Sequence, residues 1–241
     1  MHEIRVLLMA SQCERIVSLH EVFETASEYI LLLEMAEGGE LQRVLDEEDC
    51  IPEAKVKLLM RQILEGIAFL HDCNIAHLDI KPQNILLVKQ YPDVDIKLCD
   101  FGISRFIAEG SELREIVGTP DYVAPEILQY EPIGLATDMW SVGVLAFVLL
   151  TGYSPFGGNT KQETFLNITN GKLEFNDEMF DGISESAIDF IKKLLVKNAE
   201  HRMSYKQSLQ HEWLQNIVSL PTKEFSISVA SEEYDSDKEN K

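Results

Sequence analysis

The sequence has no glycine before Gly38 and no lysine before Lys55. The first absence excludes a glycine-rich phosphate-cradling loop from the opening residues, and the second leaves Glu3 with no lysine near it in the sequence. No uninterrupted apolar run reaches about 18 residues, so a membrane-spanning helix is not expected. The opening Met-His-Glu-Ile-Arg lacks the apolar stretch of a signal peptide. The four cysteines (Cys13, Cys50, Cys73 and Cys99) are scattered and form no Cys-x-x-Cys pair. That gives no zinc site and fits a reducing compartment, cytoplasmic and/or nuclear. Basic residues are scarce, 21 against 41 acidic ones, for a net charge of −20. So acidic a chain does not hold a nucleic-acid backbone by net charge, whereas it suits cationic partners such as basic peptides. Solubility and an acidic tail account for such a charge as well. There is no internal repeat.

What is present is a 241-residue chain, 45% hydrophobic and 26% charged, enough for one large domain or two small lobes around a buried core. Residues 28–34 read as a strand, and a neighbouring strand is expected near 16–23. Gly38-Gly39 read as a connector. After Pro52, apolar Val56, Leu59, Met60, Ile63, Leu64, Ile67 and Leu70 recur in steps of three and four, which predicts an amphipathic helix. Ile85–Val88 and Ile96–Cys99 read as strands of a hairpin turning at Tyr91-Pro92-Asp93. Thr137–Leu150 is apolar nearly all round and predicts a buried helix. Thr160-x-x-Glu163 and Ser204-x-x-Gln207 are capping-box patterns. A helix near 184–196 would place Ile188, Ile191, Leu194 and Leu195 on one face. From about Phe225 the chain turns Ser-rich and acidic, which reads as a disordered tail.

The chemistry is concentrated between helix and hairpin, in His77-Leu-Asp-Ile-Lys-Pro-Gln-Asn84. Asp100-Phe-Gly102 follows the hairpin, and Ala124-Pro-Glu126 comes later. Phosphoryl transfer to a hydroxyl needs a proton acceptor, which Asp79 offers, and a cation near the transferring group, which Lys81 offers. It needs hard oxygen ligands for Mg2+, and the Asn84 amide and Asp100 carboxylate are of that type. Asp-Phe-Gly alone means little. Four specified residues at fixed spacing recur by chance about once in 10⁵ positions, and the other two motifs follow in the right order.

These motifs resemble the catalytic, metal-binding and closing segments of serine/threonine protein kinases. Leu19-His-Glu-Val, Gly38-Gly-Glu-Leu, Gly118-Thr-Pro-Asp-Tyr-Val-Ala-Pro-Glu and Lys161-Gln-Glu-Thr resemble the death-associated protein kinases in particular, most of all their related apoptosis-inducing kinases. The resemblance runs from residue 3 to about 216. It implies an α+β, protein-kinase-like fold, with an incomplete N-terminal β lobe (1–36, helix, two strands and hinge), a mainly helical lobe (37–218) and an acidic tail (219–241). It implies transfer from ATP, with Mg2+, to protein Ser or Thr, in apoptosis-related signalling.

By the same resemblance Asp79 and Lys81 are catalytic, and Asn84 and Asp100 bind metal. Glu3 corresponds to the helix glutamate that pairs with a nucleotide-holding lysine, Leu33 to the gatekeeper, Glu34 and Ala36 to the hinge, and Leu86 to the adenine floor. Leu7, Leu19, His77 and Phe101 match a regulatory apolar stack anchored by Asp138. Thr119 marks serine/threonine specificity, and Glu126 pairs with Arg202 as scaffolding. Glu40 lies near the ribose and could meet an arginine of a basic substrate. Cys99, one residue before Asp100, is expected to line the nucleotide pocket as a small buried hydrophobe, its thiol pKa raised by the carboxylate.

Two departures accompany the resemblance. Leu78 stands where an arginine usually receives an activation-loop phosphate, so phosphorylation there is not expected to be obligatory. The glycine loop and the strand lysine are missing from this N-terminally truncated pattern. Weak ATP binding and exposed edges on the early strands are therefore expected. The alternative reading is a kinase-like scaffold that docks partners without catalysis.

Overall fold

The computed structural model describes residues 1–48, 50–171, 173 and 179–215. The expected tail, 219–241, lies outside them.

Helix α1 (His2–Met9) turns Val6 and Leu7 into the core. Strands β1 (Leu19–Glu24) and β2 (Tyr29–Leu33) form an antiparallel pair, with a register irregularity between Leu19 and Glu21. Their apolar side chains are poorly covered, as expected: Val22, Phe23, Ile30 and Leu32 stay exposed. Before β1, Ile16 bridges to Leu98 and ties this part to the body.

Gly38-Gly39 is more than a connector. Strand β3 (Gly39–Glu40) pairs antiparallel with β5 (Ile85–Leu87), which pairs with β6 (Ile96–Leu98). A Cβ on Gly38 would lie 2.1 Å from the Lys89 carbonyl oxygen, so only glycine lets the strand approach that closely. Helix α2 (Leu41–Glu47) follows directly, then α3 (Glu53–Asp72), whose buried residues include all seven apolar positions read from the sequence. A second small sheet pairs β4 (Ile75–Ala76) with β7 (Arg105–Phe106) and brackets the catalytic segment.

Helices α4 (Pro125–Leu128) and α5 (Ala136–Thr151) come next. In α5 every residue but Ala136 and Val148 is buried. Then follow α6 (Lys161–Asn170), α7 (Glu185–Leu194), α8 (Tyr205–Leu209) and α9 (Glu212–Gln215). Ser204 and Gln207 form the full capping box. The Thr160 pattern forms only half of one: Thr160 accepts from Glu163 N, but the Glu163 carboxylate turns to the Asn159 amide at 2.8 Å. The buried face of α7 is Ala187, Phe190, Ile191 and Leu194, with Ile188 and Leu195 at its margin. The face is rotated from the expected one because Phe190 packs on Trp213, with ring centroids 4.8 Å apart. Among the described residues, no helix is long and apolar enough to cross a membrane.

Candidate active site

The site is built where β4 ends. Its anchor is Asp138, fully buried on α5. One carboxylate oxygen accepts the His77 amide at 2.9 Å and the His71 ring Nε2 at 2.8 Å, and the other accepts the Leu78 amide at 2.8 Å. Burial alone would raise the Asp138 pKa, but the hydrogen bond and charge of His71, with the other donors, outweigh it and hold the carboxyl below its ordinary value. Leu78 has φ +66, a left-handed conformation costly for a branched side chain. The two amide bonds to Asp138 fix that turn. The Leu78 side chain is buried among Val123, Ala124 and Trp140, so it offers neither charge nor polarity to the surface.

His77 is completely buried and stacks obliquely on Phe101, with centroids 5.0 Å apart. Its Nε2 faces the Cys99 carbonyl at 3.1 Å, and the Asp79 amide donates to its Nδ1 at 3.3 Å. These partners assign a neutral ring protonated at Nε2. Burial, the largest influence, holds its pKa below the usual histidine value against the pull of Asp138 and the Cys99 carbonyl. Leu7 and Phe101 belong to the same large core, with Leu19 packed against it.

Asp79 then stands at the cleft, its side chain about a tenth exposed. Thr119 Oγ1 donates to Oδ1 at 2.7 Å; Asn84 Nδ2 and Lys81 Nζ reach Oδ2 at 2.9 and 2.8 Å. Lys81 also donates to Thr119 Oγ1 at 2.8 Å. The carboxylate is thereby held in place by three donors. Gly118, to which the sequence alone assigns no role, makes this closure fit. Its φ is +99, and a Cβ there would sit 3.1 Å from the Leu78 carbonyl oxygen. His71 was likewise missed: a histidine late in an amphipathic helix gives no sign that it faces a buried carboxylate.

The oxygen donors suit a divalent ion. Asn84 spends its NH2 on Asp79, through both the carbonyl and the carboxylate, leaving its own amide oxygen as the free donor atom. Asp100 is exposed at φ +61, and one oxygen accepts the Gly102 amide at 3.2 Å while the other makes no bond among the described residues. Among the described residues no group of three or more His, Cys, Asp or Glu forms a metal cage. Two protein oxygens are the usual share for Mg2+, which takes its other ligands from phosphate and water.

On the opposite side, Leu33 ends β2 half-buried against the core. The Glu34 side chain is committed elsewhere: it accepts the Ser18 amide at 3.0 Å and pairs with Lys97 at 3.1 Å. Those bonds offset burial and keep its pKa low. The Glu34 carbonyl and Ala36 amide have no hydrogen-bond partner among the described residues, so the backbone is free to read a base edge. Strand pairing sets Glu40 opposite Leu86. Cys99 is half-buried; burial first, then the charges of Asp100, Glu40 and Glu3, push its thiol up to about 12. The charge of Glu3, on α1, is thus felt at Cys99. Among the described residues it makes no ion pair.

Away from the cleft, Glu126 and Arg202 form the expected buried fork, at 2.8 and 3.0 Å, with Arg202 also over the Trp140 ring. Cavities of about 790 and 680 Å3 lie elsewhere on the helical part, one against residues 106–111 and the other around His211. Neither contains the side chains gathered at Asp79, so cavity size does not mark the chemistry.

Residues 1–214 match the family model described as "Protein kinase domain". The rabbit (Oryctolagus cuniculus) protein named serine/threonine-protein kinase 17A is 57% identical over 215 residues, covering 88% of this chain and 54% of that protein. The Drosophila melanogaster protein named death-associated protein kinase related is 55% identical over 219 residues, covering 91% and 32%. Mouse (Mus musculus) death-associated protein kinase 2 is 46% identical over 200 residues, covering 83% and 54%. The chain spans about half the length, or less, of these curated relatives.

Proposed function

The chain belongs to the protein kinase family, and from that premise we propose that it transfers phosphate from ATP to serine and threonine hydroxyls of proteins. The observation that carries the reading is the cluster of Asp79, Lys81, Asn84 and Thr119 on one carboxylate. In this reading Asp79 takes up the proton of the attacking hydroxyl and Lys81 places positive charge beside the transferring group. Thr119 holds the substrate-facing segment against both. Mg2+, held by the Asn84 amide oxygen and the Asp100 carboxylate, would neutralise phosphate charge. The Glu34 carbonyl and Ala36 amide would bind adenine, with Leu33 and Leu86 bounding the ring. Glu40 and the net charge of −20 favour substrates with basic residues near the acceptor. The division into 1–36 and 37–218, a place in apoptosis-related signalling, suggested by relatives named for death association, and a cytoplasmic or nuclear location belong to the same proposal.

One observation favours a second reading, a partner-docking scaffold. Among the described residues Glu3 forms no ion pair, and the sequence given offers no lysine before Lys55. Assays of the chain with millimolar ATP, Mg2+ and a Ser/Thr peptide library separate the two. Transfer that falls at least about a hundredfold in Asp79→Asn supports the enzyme. Transfer indifferent to Asp79→Asn refutes the role of Asp79, and no transfer at all, with no ATP binding, selects the scaffold.

A further inference from the structure

The contacts around Asp79 form a closed ring. Three residues before Asp79, Ala76 of β4 pairs with Arg105 of β7. The Arg105 guanidinium forks the Glu115 carboxylate, Nη2 to Oε2 at 2.7 Å and Nε to Oε1 at 3.2 Å. Its remaining nitrogen is spent on the carbonyls of Ile103 and Ser104, at 3.1 and 2.9 Å. Four residues after Glu115 comes Thr119, whose hydroxyl returns to Asp79 at 2.7 Å. Between them, Ile116 is 65% exposed, while Val117 packs against the apolar cluster that holds Leu78.

Among the described residues, Arg105–Glu115 is the ion pair that ties segment 107–119 to the rest of the protein. The other one, Arg114–Glu112 at 3.6 Å, lies within the segment. The neighbouring position on the catalytic turn, Leu78, is buried and apolar and cannot help. A bidentate, charge-assisted fork fixes orientation as well as distance, which a single point charge does not. Both partners are about one-third exposed, so the pair is worth a modest factor and not a whole fold.

We propose that Glu115 is a positioning residue for phosphoryl transfer to protein substrates. Forked by Arg105, it holds Thr119 on Asp79 and keeps the substrate side of the cleft assembled in an unmodified chain. The catalytic part of this inference rests on the phosphotransferase reading; the positional part does not.

The test therefore has two arms, run on the full chain with Glu115→Gln, Arg105→Glu, Glu115→Arg and the double variant Arg105→Glu/Glu115→Arg. In hydrogen exchange, each single variant should speed the amides of 111–119 by about twofold to fivefold, with α3 and α5 unchanged. The charge-swapped double variant should recover most of the protection. In peptide phosphorylation, each single variant should raise peptide KM about fivefold with ATP KM unchanged, again rescued by the swap. A segment that merely adds stability would also respond to the swap, but it would not split the two KM values. Unchanged exchange in 111–119, no rescue, or equal changes in both KM values overturns the proposal. If the wild-type chain transfers no phosphate, the phosphotransferase reading fails, and the exchange arm alone decides whether Glu115 positions Thr119.

Discussion

Replacing Asp138 by asparagine keeps the volume of the side chain and removes what the site needs from it. The carboxylate accepts from three donors, Leu78 N on one oxygen, His77 N and His71 Nε2 on the other. An amide has one accepting oxygen. If that oxygen serves His77, the NH2 faces the Leu78 amide; if it serves Leu78, the NH2 faces His77. The His71 ring can shift its proton and accept from the new NH2, but a backbone N–H cannot. One of the two amides is therefore left buried and unpaired in either orientation. An orphaned buried donor costs about 1–3 kcal/mol, and losing charge assistance on the surviving bonds adds about 1 kcal/mol more. The expected destabilisation is about 2–4 kcal/mol, a large part of the 5–15 kcal/mol typical of a domain.

Urea unfolding monitored by tryptophan fluorescence measures this, since Trp140 and Trp213 are both buried. Glu65→Gln serves as reference. It alters a partly exposed pair with Arg15 at 3.0 Å and should change stability by less than about 1 kcal/mol. The disturbance in Asp138→Asn should be directional too: the orphaned amide belongs to the turn before Asp79, so exchange there should accelerate before exchange in α7. A loss below about 0.5 kcal/mol in Asp138→Asn would refute the donor count, because no rotamer of asparagine satisfies all three partners.

Two further outcomes follow from the titration of buried groups. Because the folded pKa of His77 lies below its ordinary value of 6.5, the unfolded chain takes up a proton first, and stability should fall as pH drops below about 6.5. The limiting slope is about 1.4 kcal/mol per pH unit per histidine. His2 acts in the same sense, so the slope between pH 6.5 and 5 should shrink, not vanish, in His77→Gln; an unchanged slope would show that His77 is not held neutral. In iodoacetamide labelling at pH 8, exposed Cys50 should react at least about a hundredfold faster than Cys99, whose thiol is pushed up to about 12; comparable rates would mean that the Cys99 thiol is neither half-buried nor under the charges of Asp100, Glu40 and Glu3.

The sequence made legible those features whose cause is local. The seven apolar positions of α3 step at helical intervals, so their burial follows from period alone. The Ser204 capping box closes within four residues. Asp79, Lys81, Asn84 and Asp100 stand at spacings fixed by the chemistry they resemble, and Asp79, Lys81 and Asn84 meet in space. What was not legible depends on partners far along the chain. Gly38 looks like a loop residue until the Lys89 carbonyl arrives against it, and the reciprocal arm of the Thr160 cap goes to Asn159 because that amide lies nearer. Arg105 and Glu115 are ten residues apart, in a stretch with no periodicity to read; their fork exists because β7 is pinned to β4. The same distinction separates what specifies the fold from what tunes the site. Packing period and caps place the helices, whereas the orientation of one carboxylate, Asp79, is set by a threonine forty residues away and by a glycine that lets that threonine come close. A sequence variant at Gly118 or Glu115 can thus leave every helix in place and still move the reacting atoms, since about 1 Å of misplacement is enough to cost about a hundredfold in rate.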